Sequence, residues 1–279
     1  MGLKQMLSPR QTASALADVA EVKARATLRE QFFLAVLAGM YIGFGSIVCT
    51  AVTSGDWTGV PRGVRQLLGG SVFGLGLMLV MIPGSELFTG NVLMTIGFLE
   101  KRIRPLRMFR NWIVVWIGNL AGAVLLAFMM WRTGQLDPAG ASAAVAARAQ
   151  EIAHFKLALS FEANFVLGIL CNMLVCLAVI MATSARTVGG KILAIWFPIM
   201  AFVACGMEHS IANMYFLAAG LFADGQFLAK FWQMFDNLIP VTLGNIVGGV
   251  ALVLLHPKSH RMAGRIFSRK PPERAAMGK

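Results

Sequence analysis

The chain has 279 residues, 57% of them hydrophobic and only 14% charged, with a net charge of +12. A soluble domain carries nearer a quarter charged residues, so this balance, with its positive mean hydropathy, excludes an ordinary soluble enzyme or binding module and points to an integral membrane protein. The basicity does not mark a nucleic-acid partner: with six apolar spans, 19 of the 25 Lys and Arg fall on one face and five on the other, Lys156 standing apart, which puts both termini in the cytoplasm.

Residues 1–30 are expected to form a cytoplasmic amino-terminal segment. In it, Ser8-Pro9 reads as an N-cap followed by Pro at the first helical position, and Leu16, Val19, Ala20 and Lys23 recur at helical spacing. An interfacial helix is one reading and a partly ordered leader the other. The first span, 32–52, starts too late and runs too long for a cleaved signal peptide. Its Gly39, Gly43 and Gly45 allow close helix approach in lipid. The second, 67–98, is too long for one simple helix and is interrupted by Pro83, Gly84 and Gly90, so a break is expected, facing a pathway that satisfies the irregular backbone. The third is 112–131. An external linker, 134–155, then carries Asp137-Pro138 and an Ala-rich stretch. Spans follow at 158–183, 192–222 and 238–255, and a basic cytoplasmic tail at 257–279.

Two phrases occur twice in the same order. GSELFTGN at 84–91 and GMEHSIAN at 206–213 share Gly-x-Glu-x-x-x-x-Asn, and Asn111 to Asn119 and Asn237 to Asn245 share a second spacing that ends in Gly-Asn. The chain is therefore a duplication of three spans, 31–133 and 156–256. Because three is odd, the second copy enters the membrane from the opposite side, making an inverted repeat with broken second and fifth spans facing one another near the midplane.

The chemistry concentrates at those breaks. Helices restarting near Thr89 and Ser210 would aim free N–H groups and partial positive charge at the centre, favouring anions. Glu86 and Glu208 are read as acceptors that tie down loop N–H groups. His209 either hydrogen-bonds Asn or Thr across the bundle or handles protons and contacts an anion; beside a carboxylate in a broken span, the second reading is preferred. Lys156, placed at the outer start of the fourth span, either snorkels to the interface or adds its charge to the pathway. Asn172 and Asn213 are helix glue or pathway lining. Cys49, Cys171, Cys176 and Cys205 lie in apolar runs without metal-ligand spacing and are read as buried small hydrophobes. His154, His256 and His260 lie near span ends or in the tail, so neither a zinc site nor a cofactor is expected. No nucleophile stands with a partnered base, which leaves a membrane enzyme or sensor without a mechanism.

GSELFTGN, CNMLVCLA at 171–178, GMEHSIANM at 206–214 and NLIPVTLGNIVGG at 237–249 together closely resemble the formate/nitrite transporter family of bacterial inner membranes. The resemblance runs in order over 32–255. It implies an aquaporin-like protomer, a homopentamer in the lipid bilayer with one pore per subunit, and passage of small monovalent anions such as formate, nitrite or hydrosulfide, pH-gated or proton-coupled. The SELFTGN wording leans towards nitrite. Carried across, the family's central histidine matches His209, its lysine Lys156 and its loop threonine Thr89; the apolar constrictions match Phe73, Leu77, Leu87, Phe88, Val175 and Phe202. The runner-up, a neutral-solute channel, lacks its Asn-Pro-Ala pair here.

Overall fold

The computed structural model describes residues 6–255, which contain helices and no strand. The basic tail, with His256 and His260, lies outside the described residues. Helix α1 (Pro9–Arg25) begins where Ser8 accepts the Gln11 N–H and the Gln11 side chain accepts the Ser8 N–H, with Pro9 at the first helical position. Thr27 caps α2 (Leu28–Val52). Helices α3 (Arg62–Phe73) and α4 (Leu75–Met81) follow one another across Gly74. The chain leaves the helix at Ile82, turns through Gly84 at φ +93°, and resumes as α5 (Phe88–Asn91), a 3-10 turn and α6 (Thr95–Leu99). Then come α7 (Pro105–Arg132), α8 (Ala143–Ala158), α9 (Phe161–Ser184), α10 (Val188–Ala204), α11 (Ser210–Ala223), α12 (Phe227–Lys230) and α13 (Met234–Leu255).

Among the described residues, five helical stretches are long and apolar enough to cross a membrane: α2, α3 with α4, α7, α9, and α12 with α13. The sixth stretch expected from sequence is divided at Cys205–His209 between α10 and α11, each too short by itself. Both expected breaks are therefore present.

The tightest pairs, α2 with α7 and α9 with α13, mirror one another. A Cβ on Gly122 would lie 2.0 Å from the Val36 carbonyl oxygen, and one on Gly248 would lie 2.1 Å from that of Ile169. Only glycine permits these backbones to touch, which in lipid replaces the missing hydrophobic drive.

Two elements differ from the sequence expectation. The linker 134–155 contains most of α8, whose Ala146, Ala149 and Ala153 are buried, with Ala149 and Ala153 against Gly220 of α11; alanine reads as low-complexity linker in sequence but makes a close-packed helix face here. Helix α1 likewise packs Thr12, Ala13, Leu16, Ala17, Ala20 and Ala24 inward, against α6 and α9, and leaves Val19 exposed. Three cysteines are buried as expected, but Cys205 is exposed, because it ends α10 at the break.

Candidate functional site

Each break is held by the same set of side chains. In the second half, the Ser210 N–H, first in α11, donates to Asn245 Oδ1 at 2.9 Å, while Asn245 Nδ2 donates to the Gly168 and Glu208 carbonyls at 2.8 and 3.0 Å. In the first half, the Phe88 N–H donates to Asn119 Oδ1 at 2.9 Å, and Asn119 Nδ2 donates to the Ala35 and Glu86 carbonyls at 2.7 and 2.9 Å. Asparagine can do this because one amide carries both an acceptor and two donors.

The two glutamates have a different role from the one read in the sequence. Glu208 is 1% exposed and binds side chains instead of loop N–H groups, because the asparagines already satisfy the loop. Its Oε1 accepts from Lys156 Nζ at 2.7 Å, and its Oε2 from Asn213 at 2.5 Å and Asn237 at 3.4 Å. Glu86 repeats this with Lys23 at 2.7 Å, Asn91 at 2.5 Å and Asn111 at 3.4 Å. Lys23 was missed as a site residue. The signal was present, since Ala20-x-x-Lys23 and Ala153-x-x-Lys156 are each followed nine residues on by Phe32 and Phe165.

Lys156 belongs to the last turn of α8, ahead of the Ser160 cap of α9, and not to the fourth span itself. It points inward onto Glu208 and over the Phe216 ring at 5.7 Å, instead of snorkelling outward. The duplicated unit thus includes α1 and α8, each delivering a lysine to the carboxylate at a break.

The symmetry fails at one position. His209 is the N-cap of α11, its Nδ1 accepting the Ala212 N–H at 3.0 Å; the matching cap of α5 is Leu87, whose side chain accepts nothing. An accepting Nδ1 leaves the proton on Nε2, so the ring is neutral and donates to Thr89 Oγ1 at 2.8 Å. His209 and Thr89 are both buried, and the contact joins the two halves of the chain.

A cavity of about 470 Å³ reaches His209 from the α8 side, past Arg65, Arg148, Lys156 and the rings of Phe73, Phe202 and Phe216. Phe202 packs edge-on against Phe73 at 5.7 Å and stacks on the imidazole at 5.8 Å. A smaller cavity of about 110 Å³, on the α1 side, is lined by Lys23, Leu77, Leu87, Gly90 and Asn91. Thr89 lines neither cavity; its partner His209 lines the larger one, and its chain neighbour Gly90 the smaller. Val175 and Phe88 are buried and line neither cavity, Phe88 lying edge-on to Trp112 at 6.4 Å. Asn172 donates to the Thr89 and Asn245 carbonyls at 3.3 and 2.6 Å, which makes it glue between the halves; its Oδ1 and that of Asn213 are buried with no hydrogen-bond partner among the described residues.

A multi-pass all-helical membrane protein with facing broken spans, a polar contact at their meeting point and a cavity on either side of it belongs to the channel and transporter class. Residues 10–257 match the model of the formate/nitrite transporter family. A probable formate transporter of Methanothermobacter thermautotrophicus is 43% identical, covering 88% of this chain and 94% of that protein. The formate channel FocA of Escherichia coli K12 is 36% identical over 86% of this chain and 90% of its own. A solved pentameric formate channel with formate bound superposes with TM-score 0.71 at 37% identity, covering 86% of this chain and 97% of that one. The chain belongs to the formate/nitrite transporter family, whose members are transporters and channels, not enzymes.

Proposed function

We propose that this chain forms a channel for small monovalent anions, with formate the principal substrate and nitrite and hydrosulfide as competitors. The observation that carries the reading is the His209–Thr89 contact, with one cavity reaching His209 and a second lined by Leu87 and Gly90, the residues near Thr89 in the chain, each cavity having a lysine in its wall. The names of the relatives favour formate over nitrite. Each lysine is paired with a buried glutamate, so it is Arg62, Arg65 and Arg148, outnumbering Glu151, that leave the α8-side cavity positive and raise the local anion concentration, and the apolar Phe73–Phe202 pair disfavours passage of a bare charge. An anion arriving at the centre meets the Nε2–H of His209, takes the donor that Thr89 holds at rest, and crosses as a weak acid partly neutralised by that proton. The protein acts as a homopentamer in a bacterial inner membrane with both termini cytoplasmic, so that the α1 cavity faces inward and the α8 cavity outward.

His209→Asn tests the proton-handling part. Asparagine is a good N-cap, able to accept the Ala212 N–H, but does not titrate. Formate flux of the assembled variant is expected to lose its pH dependence. An unchanged pH profile means that His209 only caps α11 and braces Thr89.

A further inference from the structure

The wall of the α8-side cavity holds an arrangement that the central site does not use. Arg65 and Arg148 stand on different helices, α3 and α8, yet both are anchored on Thr53, the C-cap of α2, which is 1% exposed. Arg65 Nε donates to the Thr53 carbonyl at 2.8 Å and Arg148 Nε to the Thr53 hydroxyl at 3.1 Å. Arg65 also lies over the Trp57 ring, 5.9 Å from its centroid. One terminal nitrogen of each reaches the same carboxylate oxygen: Glu151 Oε2 lies 3.2 Å from Arg65 Nη2 and 2.8 Å from Arg148 Nη1.

The exposures of the three side chains differ. The arginines are 21% and 18% exposed and fixed at Nε, whereas Glu151 is 56% exposed. Burial works to raise the Glu151 carboxyl, but the hydrogen bond and charge of Arg148, then those of Arg65, outweigh it and hold the group below its ordinary range. Two guanidinium groups anchored at Nε around one carboxylate on an exposed side chain describe a receptor for a planar monoanion, at present filled by the protein's own glutamate.

We infer that Arg65 and Arg148 form an outer staging site for carboxylate-like monoanions and that Glu151 is its displaceable internal competitor. A formate or nitrite ion presents the same planar pair of oxygens as the glutamate and exchanges with it, releasing Glu151 into solvent. The exchanged anion then sits in the same cavity as Lys156 and His209. The site lies at the mouth, apart from the central contact, and sets apparent affinity from that side instead of the rate through the centre. It rests on the anion-channel reading for its use, but not for its existence.

Two measurements separate these. In the first, Trp57 fluorescence of the detergent-solubilised protein is titrated with sodium formate at constant ionic strength, with Trp57→Phe giving the background of the other tryptophans. In the second, formate influx into proteoliposomes is measured against concentration. Removing the competitor with Glu151→Gln is expected to lower both the fluorescence midpoint and the half-saturating concentration by about two- to fivefold, the range of an exposed ion pair. The paired variant Arg65→Gln/Arg148→Gln is expected to abolish the Trp57 response and to remove the effect of Glu151→Gln. If the arginine variants fail to assemble, the Glu151→Gln comparison decides alone. A midpoint unmoved by Glu151→Gln in both assays overturns the staging site. A moved fluorescence midpoint without formate influx in any variant upholds the site and overturns the channel reading.

Discussion

Asn245 carries more of the fold than its single amide suggests, and Asn245→Ala exposes that dependence. The substitution removes three hydrogen bonds: one from Ser210 and two to the Gly168 and Glu208 carbonyls. The Gly168 oxygen keeps its acceptor place inside α9, so the groups left bare are the first N–H of α11 and a loop carbonyl. At about 0.6 kcal/mol for each hydrogen bond in a membrane protein, the loss is about 2 kcal/mol; at the full cost of two buried unpaired groups it rises to about 5 kcal/mol. Asn119→Ala removes the mirrored three bonds and is expected to cost the same within about 1 kcal/mol. Unfolding of the detergent-solubilised protein in a denaturant series measures both. A loss below about 0.5 kcal/mol for either, the range of an indifferent surface change, refutes the assignment of the asparagines as braces of the breaks.

Lys156→Met leaves Glu208 buried and unpaired, at a cost of about 3 to 5 kcal/mol, and adding Glu208→Gln is expected to recover much of that loss in the same denaturation series. Gly248→Ala drives a Cβ into the Ile169 backbone, so α13 must move off α9; reduced assembly by native mass spectrometry is the expected readout, and a stable pentamer would count against the packing described. The depressed Glu151 carboxyl contributes stability that is present above its ordinary value and is lost as pH falls through the depressed one. The thermal midpoints of wild type and Glu151→Gln are therefore expected to differ at neutral pH and to converge in acid.

Apolar length and the paired Glu-to-Asn and Asn-to-Asn phrases made the spans, their duplication and both breaks legible, because lipid forbids irregular backbone unless polar residues gather to satisfy it. His209 stood out as an ionisable residue beside a carboxylate in a broken span, and Thr89 through the family resemblance; their contact spans 120 positions, beyond the reach of any local pattern. The place of α1 and α8 in the repeat was not seen, because both are too polar to register as spans and α8 is too rich in alanine to look like more than a linker. Lys23 was hidden for the same reason, its carboxylate lying 63 positions away. Arg65 and Arg148 counted only as outer-face charges until the fold anchored both on Thr53.

The central claim is that the cavities on either side of His209 conduct small anions, and formate influx into proteoliposomes carrying an internal pH dye tests it most directly. The account predicts influx well above protein-free liposomes, competed by nitrite and hydrosulfide and untouched by glycerol. Glycerol influx without formate influx would contradict it.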